Sequence, residues 1–165
     1  MISISVGTTK DARALAALRT RVARDMTRQF GEGHWSACPK VAEVLRQVRA
    51  SHVLAARLDG EIVGTVRLSL AKQWAIDASA FTPAKTALYV LGLATAPEVR
   101  GRGVGRALVE AAKDKARSWP AQALWLDAYD HPAGAGPFYL ACGFREVGPS
   151  TNGVVPLIFY EWLVG

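Results

Sequence analysis

The chain has 165 residues, half of them hydrophobic, and a formal net charge of +6. This is enough apolar material for a single core in one domain spanning residues 1–165. No apolar run reaches the ~20 residues of a membrane-spanning helix; the two cysteines, Cys38 and Cys142, lack CxxC spacing, and the chain needs no disulfide between them, so reduced thiols are expected. No His/Cys cluster has metal-ligand spacing, so no metal is expected. The basic residues are scattered, which disfavours nucleic acid and suits a small anionic ligand.

Ile2 to Val6 reads as a short strand, and Met1-Ile2-Ser3-Ile4-Ser5 lacks the features of a signal peptide, so a cytoplasmic location is expected. Thr8 and Asp11 are spaced as a capping box opening a helix. Leu15, Leu18, Val22 and Met26 recur along it at three- and four-residue steps. Gly31-Glu32-Gly33 ends it. A second helix is expected from Lys40 to about Arg49, with Val41, Val44, Leu45 and Val48 on one face. The period then changes. His52 to Leu58 is a strand, Asp59-Gly60 a hairpin turn, and Glu61 to Leu70 a strand with Ile62, Val66, Leu68 and Leu70 on one face. Ala87 to Thr95 is a nearly continuous apolar run, as in a central strand covered on both sides. Gly103 to about Ser118 reads as a helix with Val104, Leu108, Ala111 and Lys115 along one face, stopped by Trp119-Pro120. Ala123 to Ala128 is a strand. A short helix from Pro137 to Ala141 ends at Gly143, and Phe144 to Gly148 pairs with Val154 to Leu163 through Asn152-Gly153. Periodicity alone gives a single α/β or α+β domain.

The segment Arg100-Gly101-Arg102-Gly103-Val104-Gly105-Arg106 joins the central strand to the third helix. Glycines let backbone N–H groups approach a ligand closely, and the helix start adds unpaired amides and a positive dipole end. Such a corner suits a pyrophosphate. A Rossmann site fits less well: Arg106 occupies the third glycine position, the turn from the strand is long, and too little chain remains for a doubly wound sheet. Downstream lies Phe138-Tyr139-Leu140-Ala141-Cys142-Gly143-Phe144.

Together these two segments resemble the GNAT N-acetyltransferase superfamily. Arg100, Gly103 and Gly105 fill its cofactor-loop pattern, Leu93 to Val99 its lead-in, and Tyr139 with Gly143-Phe144 its second signature. The likeness covers roughly residues 52 to 145. It implies an α/β (α+β mixed) fold with a mixed, mostly antiparallel central sheet flanked by helices. It also implies acetyl-CoA as the acyl donor. The backbone of Leu93, Ala94 and Thr95 would hold the pantetheine arm as an added strand does. Amides across Arg100, Gly101, Arg102, Gly103, Val104, Gly105 and Arg106 would hold the pyrophosphate.

The implied activity is direct acetyl transfer to a primary amine, on a small molecule or a peptide. A lysine-like amine with pKa about 10.4 lies ~3.4 units from its neutral form at pH 7, or roughly 4.6 kcal/mol. A base, or a pocket that depresses the amine pKa, must offset this. The resemblance makes Tyr139 the acid at the thioester sulfur. Full proton transfer from a phenol to a thiolate is uphill by roughly 2 kcal/mol, so its role is a hydrogen bond. Relatives often carry Glu on the central strand, but Ala87 to Thr95 has no carboxylate. Asp127 is the nearest substitute as base, with Tyr89, Asp130 and His131 behind it. Pro132 replaces a frequent Asn, and the glycines of Ala133-Gly134-Ala135-Gly136 remove about 2 kcal/mol of helix propensity, so the helix should be shortened. Glu32, Trp35 and Trp74 are candidates for the acceptor pocket, with core-edge packing as the alternative for both tryptophans. The missing strand carboxylate also fits a non-catalytic acyl-CoA-binding regulatory module. The strand Leu157 to Leu163 is compatible with pairing inside the sheet or across a homodimer.

Overall fold

The alternating periodicities become, in the computed structural model, four helices and seven strands over the described residues 1–150, 153 and 155–165. The strands are β1 (Ile2–Val6), β2 (His52–Leu58), β3 (Glu61–Ser69), β4 (Ala87–Thr95), β5 (Ala123–Tyr129), β6 (Arg145–Pro149) and β7 (Leu157–Leu163). The helices are α1 (Ala12–Phe30), α2 (Val41–Ala50), α3 (Val104–Ser118) and α4 (Gly136–Ala141). The sheet order is β1-β2-β3-β4-β5-β7-β6. The pairs β1–β2, β2–β3, β5–β7 and β6–β7 are antiparallel, and β4–β5 is parallel. This is the expected mixed, mostly antiparallel sheet. The chain divides into two compact units, Met1–Leu68 with Leu91–Ala111, and Ser69–Val90 with Ala112–Gly165.

In the first unit, the Asp11 carboxylate accepts from the Thr8 backbone N–H at 2.9 Å and from Arg57 Nη2 at 2.9 Å. These bonds hold a short turn, Thr9–Asp11, that leads into α1. Its buried stripe is Ala12, Leu15, Ala16, Leu18 and Ala23, while Val22 and Met26 are half-buried. Ala12, Leu15, Ala16, Val44 and Val53 form a core cluster against which Leu45, Val48 and Ile62 pack. Each fully buried Leu or Val contributes roughly 1.5–3 kcal/mol. Val41 is exposed, contrary to the face expected for α2, because it is the helix's first residue and lies ahead of the packed turn. β3 also differs from its expected alternation. Val63, Gly64, Thr65 and Val66 are all buried, so the strand is covered on both faces, and Leu70 lies beyond its end, exposed. On α3, which the division into units cuts after Ala111, the buried residues include Val104, Leu108 and Val109 in the first unit and Ala112 and Ala116 in the second. Ala111 and Lys115 are only half-buried, because the helix turns its buried face through the four-residue steps 104, 108, 112 and 116.

In the second unit, β7 is bonded to β5 on one edge and β6 on the other, so both its edges are used within the sheet. The strand begins at Leu157. Asn152 and Val154, expected in the hairpin, lie outside the described residues. Phe81 stacks on Trp125 at 4.5 Å between centroids and contacts Phe159 at 5.3 Å. Glu161, 1% exposed, accepts from the Thr82 backbone N–H at 3.1 Å, from Thr82 Oγ1 at 2.7 Å and from Arg145. A buried carboxylate with three donors is a satisfied structural group.

Candidate functional site

The glycine corner lies in the first unit. Pro97–Val99 forms a single tight turn after β4, and Gly101 and Gly103 follow with φ of 77° and 83°. A Cβ at either would meet nothing within 4 Å, so the left-handed backbone, and not crowding, selects glycine here. The corner's amides divide into two sets. Arg100 N–H donates to Pro97 O at 3.4 Å and Arg102 N–H to Val99 O at 3.2 Å. The amides of Gly101, Gly103, Val104 and Gly105 make no hydrogen bond among the described residues. They are the unpaired donors that a helix start presents to an anion. This set fits a diphosphate. Arg100 contributes less charge than its position implied: its Nη1 donates to Asp25 Oδ2 of α1 at 2.5 Å. That ion pair, with donors from Arg28 and Gln29, holds Asp25 below its ordinary pKa. Arg21 and Glu98 make a second tie between α1 and the corner. Arg102 is exposed and enters no ion pair among the described residues.

Ahead of the corner, β4 pairs with β5 only over Ala87–Tyr89 against Ala123–Trp125, which leaves the backbone of Leu93, Ala94 and Thr95 outside that ladder. Gly92 interrupts β4 with φ 62°. A glycine inside a strand marks a bulge or a close approach, and the apolar reading of Ala87 to Thr95 gave it no weight.

Gly92 borders a small cavity that sequence reasoning missed. Its walls include Leu15 and Arg19 of α1, Val44 and Gln47 of α2, and Thr65 and Arg67 of β3. Arg19 Nη1 donates to Gln47 Oε1 at 2.6 Å, and Arg67 Nη1 reaches Ser51 Oγ at 3.4 Å. Arg67 Nε is buried without an acceptor. Burial, then the neighbouring Arg19 charge, pulls the Arg67 pKa down; Glu43 opposes this, and burial likewise lowers Arg19. The available signal was an arginine between two apolar strand residues, Val66 and Leu68.

The second unit holds Tyr139 and Asp127. Tyr139, 6% exposed, sits on α4 among Phe138, Phe144 and Tyr160, with ring centroids 5.4, 5.4 and 6.3 Å away. Burial, then the charge of Asp127, drives its pKa well above that of a free phenol. It therefore keeps its proton, and its hydroxyl is a donor with no hydrogen-bond partner among the described residues. Asp127, half-buried on β5 opposite Phe159, has its pKa raised by burial. No hydrogen bond or ion pair holds its carboxylate among the described residues. A desolvated, uncommitted carboxylate is a better base than an exposed one. The weaker options have other work. Tyr89 is buried edge-on to Trp125 at 5.9 Å, and His131 Nδ1 accepts from the Ala133 backbone N–H at 2.9 Å.

α4 runs from Gly136 to Ala141, short as expected. The glycines before and at its start, Gly134 and Gly136, have a packing reason. A Cβ at Gly134 would stand 1.9 Å from Tyr129 O, and one at Gly136 2.2 Å from Tyr160 Oη.

Of the acceptor candidates, Glu32 is exposed in the loop after α1. Trp35 is half-buried, donates Nε1–H to Gly31 O at 2.9 Å and meets Phe30 edge-on at 6.5 Å, so its ring braces its own loop. Trp74 belongs to the other unit and is 75% exposed, which rules out core-edge packing for it.

The model of the acetyltransferase (GNAT) family matches residues 19–144. No curated protein matches the sequence. The fold is similar to that of the PaiA N-acetyltransferase of Thermoplasma acidophilum in complex with coenzyme A, at 13% identity, 99% of each chain covered and TM-score 0.75. It is also similar to the ribosomal-protein-alanine N-acetyltransferase of Brucella melitensis, at 17% identity over 98% of this chain and 99% of that one, TM-score 0.73. A third similar structure is yncA of Salmonella typhimurium with its cofactor acetyl-CoA, at 15% identity, 100% and 95% covered, TM-score 0.74.

Proposed function

Because the chain belongs to the GNAT acetyltransferase family, we propose that its residues 1–165 act as one domain transferring an acetyl group from acetyl-CoA directly to a primary amine. The observation that carries the reading is the set of uncommitted amides at Gly101, Gly103, Val104 and Gly105, held open by two left-handed glycines where α3 begins. These amides hold the diphosphate, with Arg102 adding charge beside them. The backbone of Leu93, Ala94 and Thr95 takes the pantetheine arm. When bound, the thioester supplies an activated acetyl group.

The amine nitrogen bonds to the acetyl carbon as the carbon–sulfur bond breaks. Asp127 accepts the proton the nitrogen loses, its raised pKa making it competent for this. Tyr139 donates a hydrogen bond to the departing sulfur while keeping its own proton, which its strongly raised pKa enforces. No covalent acyl-enzyme is needed: Cys142 is buried and Cys38 is exposed on a loop.

The test is release of free thiol from acetyl-CoA against a panel of amines. Amine-dependent release is expected; cofactor binding without release on any amine would instead favour a binding module. Replacing Tyr139 by Phe should lower kcat roughly ten- to a hundredfold, the worth of one transition-state hydrogen bond, with the acetyl-CoA Kd unchanged. An unaltered kcat removes Tyr139 from the chemistry.

A further inference from the structure

The cavity beside Gly92 holds charge that the acetyl-transfer reading does not use. Two guanidiniums, Arg19 and Arg67, share its walls with the apolar Leu15, Val44, Val48 and Val53 and the neutral polar Gln47 and Thr65. No carboxylate lies within ion-pair distance of either among the described residues. Their side-chain partners are neutral: Gln47 for Arg19 and the long Ser51 contact for Arg67. The buried Nε–H of Arg67 has no acceptor, and an anion is one group that would satisfy it. The fork of an arginine matches a carboxylate in particular.

Gly92 supplies the approach. It is exposed, and a Cβ built on it would have one neighbour within 4 Å, Arg67 Nε at 4.0 Å. Any side chain at residue 92 would therefore stand over that nitrogen. The cavity as it stands has a volume of ≈ 10 Å³, about one water molecule, so a carboxylate occupies its mouth at Gly92 and not its floor. Residue 92 directly precedes Leu93, where the proposed hold on the pantetheine arm begins.

We propose that Arg67, with Arg19 behind it, is the carboxylate subsite for the acceptor, whose reactive amine is carried by a free amino acid or a peptide ending close to that amine. This inference rests on the acetyltransferase reading and narrows its substrate class. A plain amine or an internal protein lysine lacks the group these arginines would bind.

The experiment compares each of a set of amino acids with its carboxamide and its decarboxylated amine, at saturating acetyl-CoA. For the preferred side chain, kcat/KM should be roughly ten- to a hundredfold higher for the acid, the worth of a charge-assisted bond. Arg67→Met should raise the KM for the acid and collapse the acid-to-amide ratio toward one, with Arg67→Lys restoring part of it. Turnover of amines with no preference for acids, and the same ratio in Arg67→Met, would overturn the subsite while leaving acetyl transfer standing. If no amine is turned over, acetyl transfer itself fails. Calorimetry with N-acetyl amino acids and their amides, in the presence of coenzyme A, then decides the subsite alone: binding of the acids only would support it, and equal or no binding would refute it.

Discussion

Asp127 holds its carboxylate in a setting that resists charge, and the consequence appears in stability as well as in chemistry. Its folded-state pKa lies above the unfolded value because β5 buries it without a donor. The folded state thus binds the proton more tightly than the unfolded state does. Its contribution is fully present below the unfolded pKa and is lost as pH rises through the folded one. Asp127→Asn should therefore make the protein more stable than wild type near pH 7, and the gain should vanish near pH 3, where both states are protonated. Denaturant midpoints at the two pH values measure this. A variant less stable than wild type near pH 7 would mean that the carboxylate has a stabilising partner. The same variant should lose most turnover, so stability and activity move in opposite directions, as expected where a group is kept in a costly state for its chemistry. Asp11 is the opposite case: Thr8 and Arg57 lower its pKa, and its contribution disappears as pH falls.

Among the elements, α4 shows how packing overrides propensity. Glycine at 136 is a poor choice for a helix start by propensity alone, yet the Tyr160 hydroxyl occupies the place where a Cβ would stand, 2.2 Å away. Gly136→Ala should destabilise by roughly 1–3 kcal/mol through overpacking, and adding Tyr160→Phe should recover part of that loss, because the nearest atom is then gone. Equal destabilisation in the single and double variants would place the strain elsewhere. The shortened α4 was legible, since Pro137 and the glycines mark it, but Tyr160 as the neighbour that requires glycine at 136 was not: periodicity reports that a face is buried, never what covers it. The same limit explains the other departures. α3 is where the spacing put it, yet its buried row runs through Ala112 and Ala116 because the packed face is set by tertiary neighbours. β3 read as a half-exposed strand, whereas its Thr65 and Arg67 face is covered too. The glycine corner was legible because its backbone at Gly101 and Gly103 lies in the left-handed region that favours glycine. The Arg19–Arg67 cavity was not, because its members come from α1, α2, β3 and β4 and no local pattern joins them.

For the molecule as a whole, the proposed binding and chemical residues fall into different units: Gly101–Gly105 in the first, Tyr139 and Asp127 in the second. The two roles should therefore separate under mutation. Acetyl-CoA at about a hundredfold excess over Kd should stabilise the folded protein by ~2.7 kcal/mol, raising Tm by roughly 5–10 °C for a chain of this size. Gly103→Val places a β-branched residue at φ 83°, which costs at least about 1–2 kcal/mol of backbone strain. Its free-protein Tm should fall, and, because the relaxed loop no longer aims its amides, the acetyl-CoA-dependent rise in Tm should shrink as well. Tyr139→Phe should keep the full rise and lose turnover. The measurement is a thermal scan of each variant with and without acetyl-CoA, beside a thiol-release assay. A full rise in Gly103→Val would show that the diphosphate is held elsewhere, since the strain lowers both scans equally and cancels in their difference. Loss of the rise in Tyr139→Phe would instead assign the phenol to binding, and the division of labour between the two units would have to be redrawn around that result.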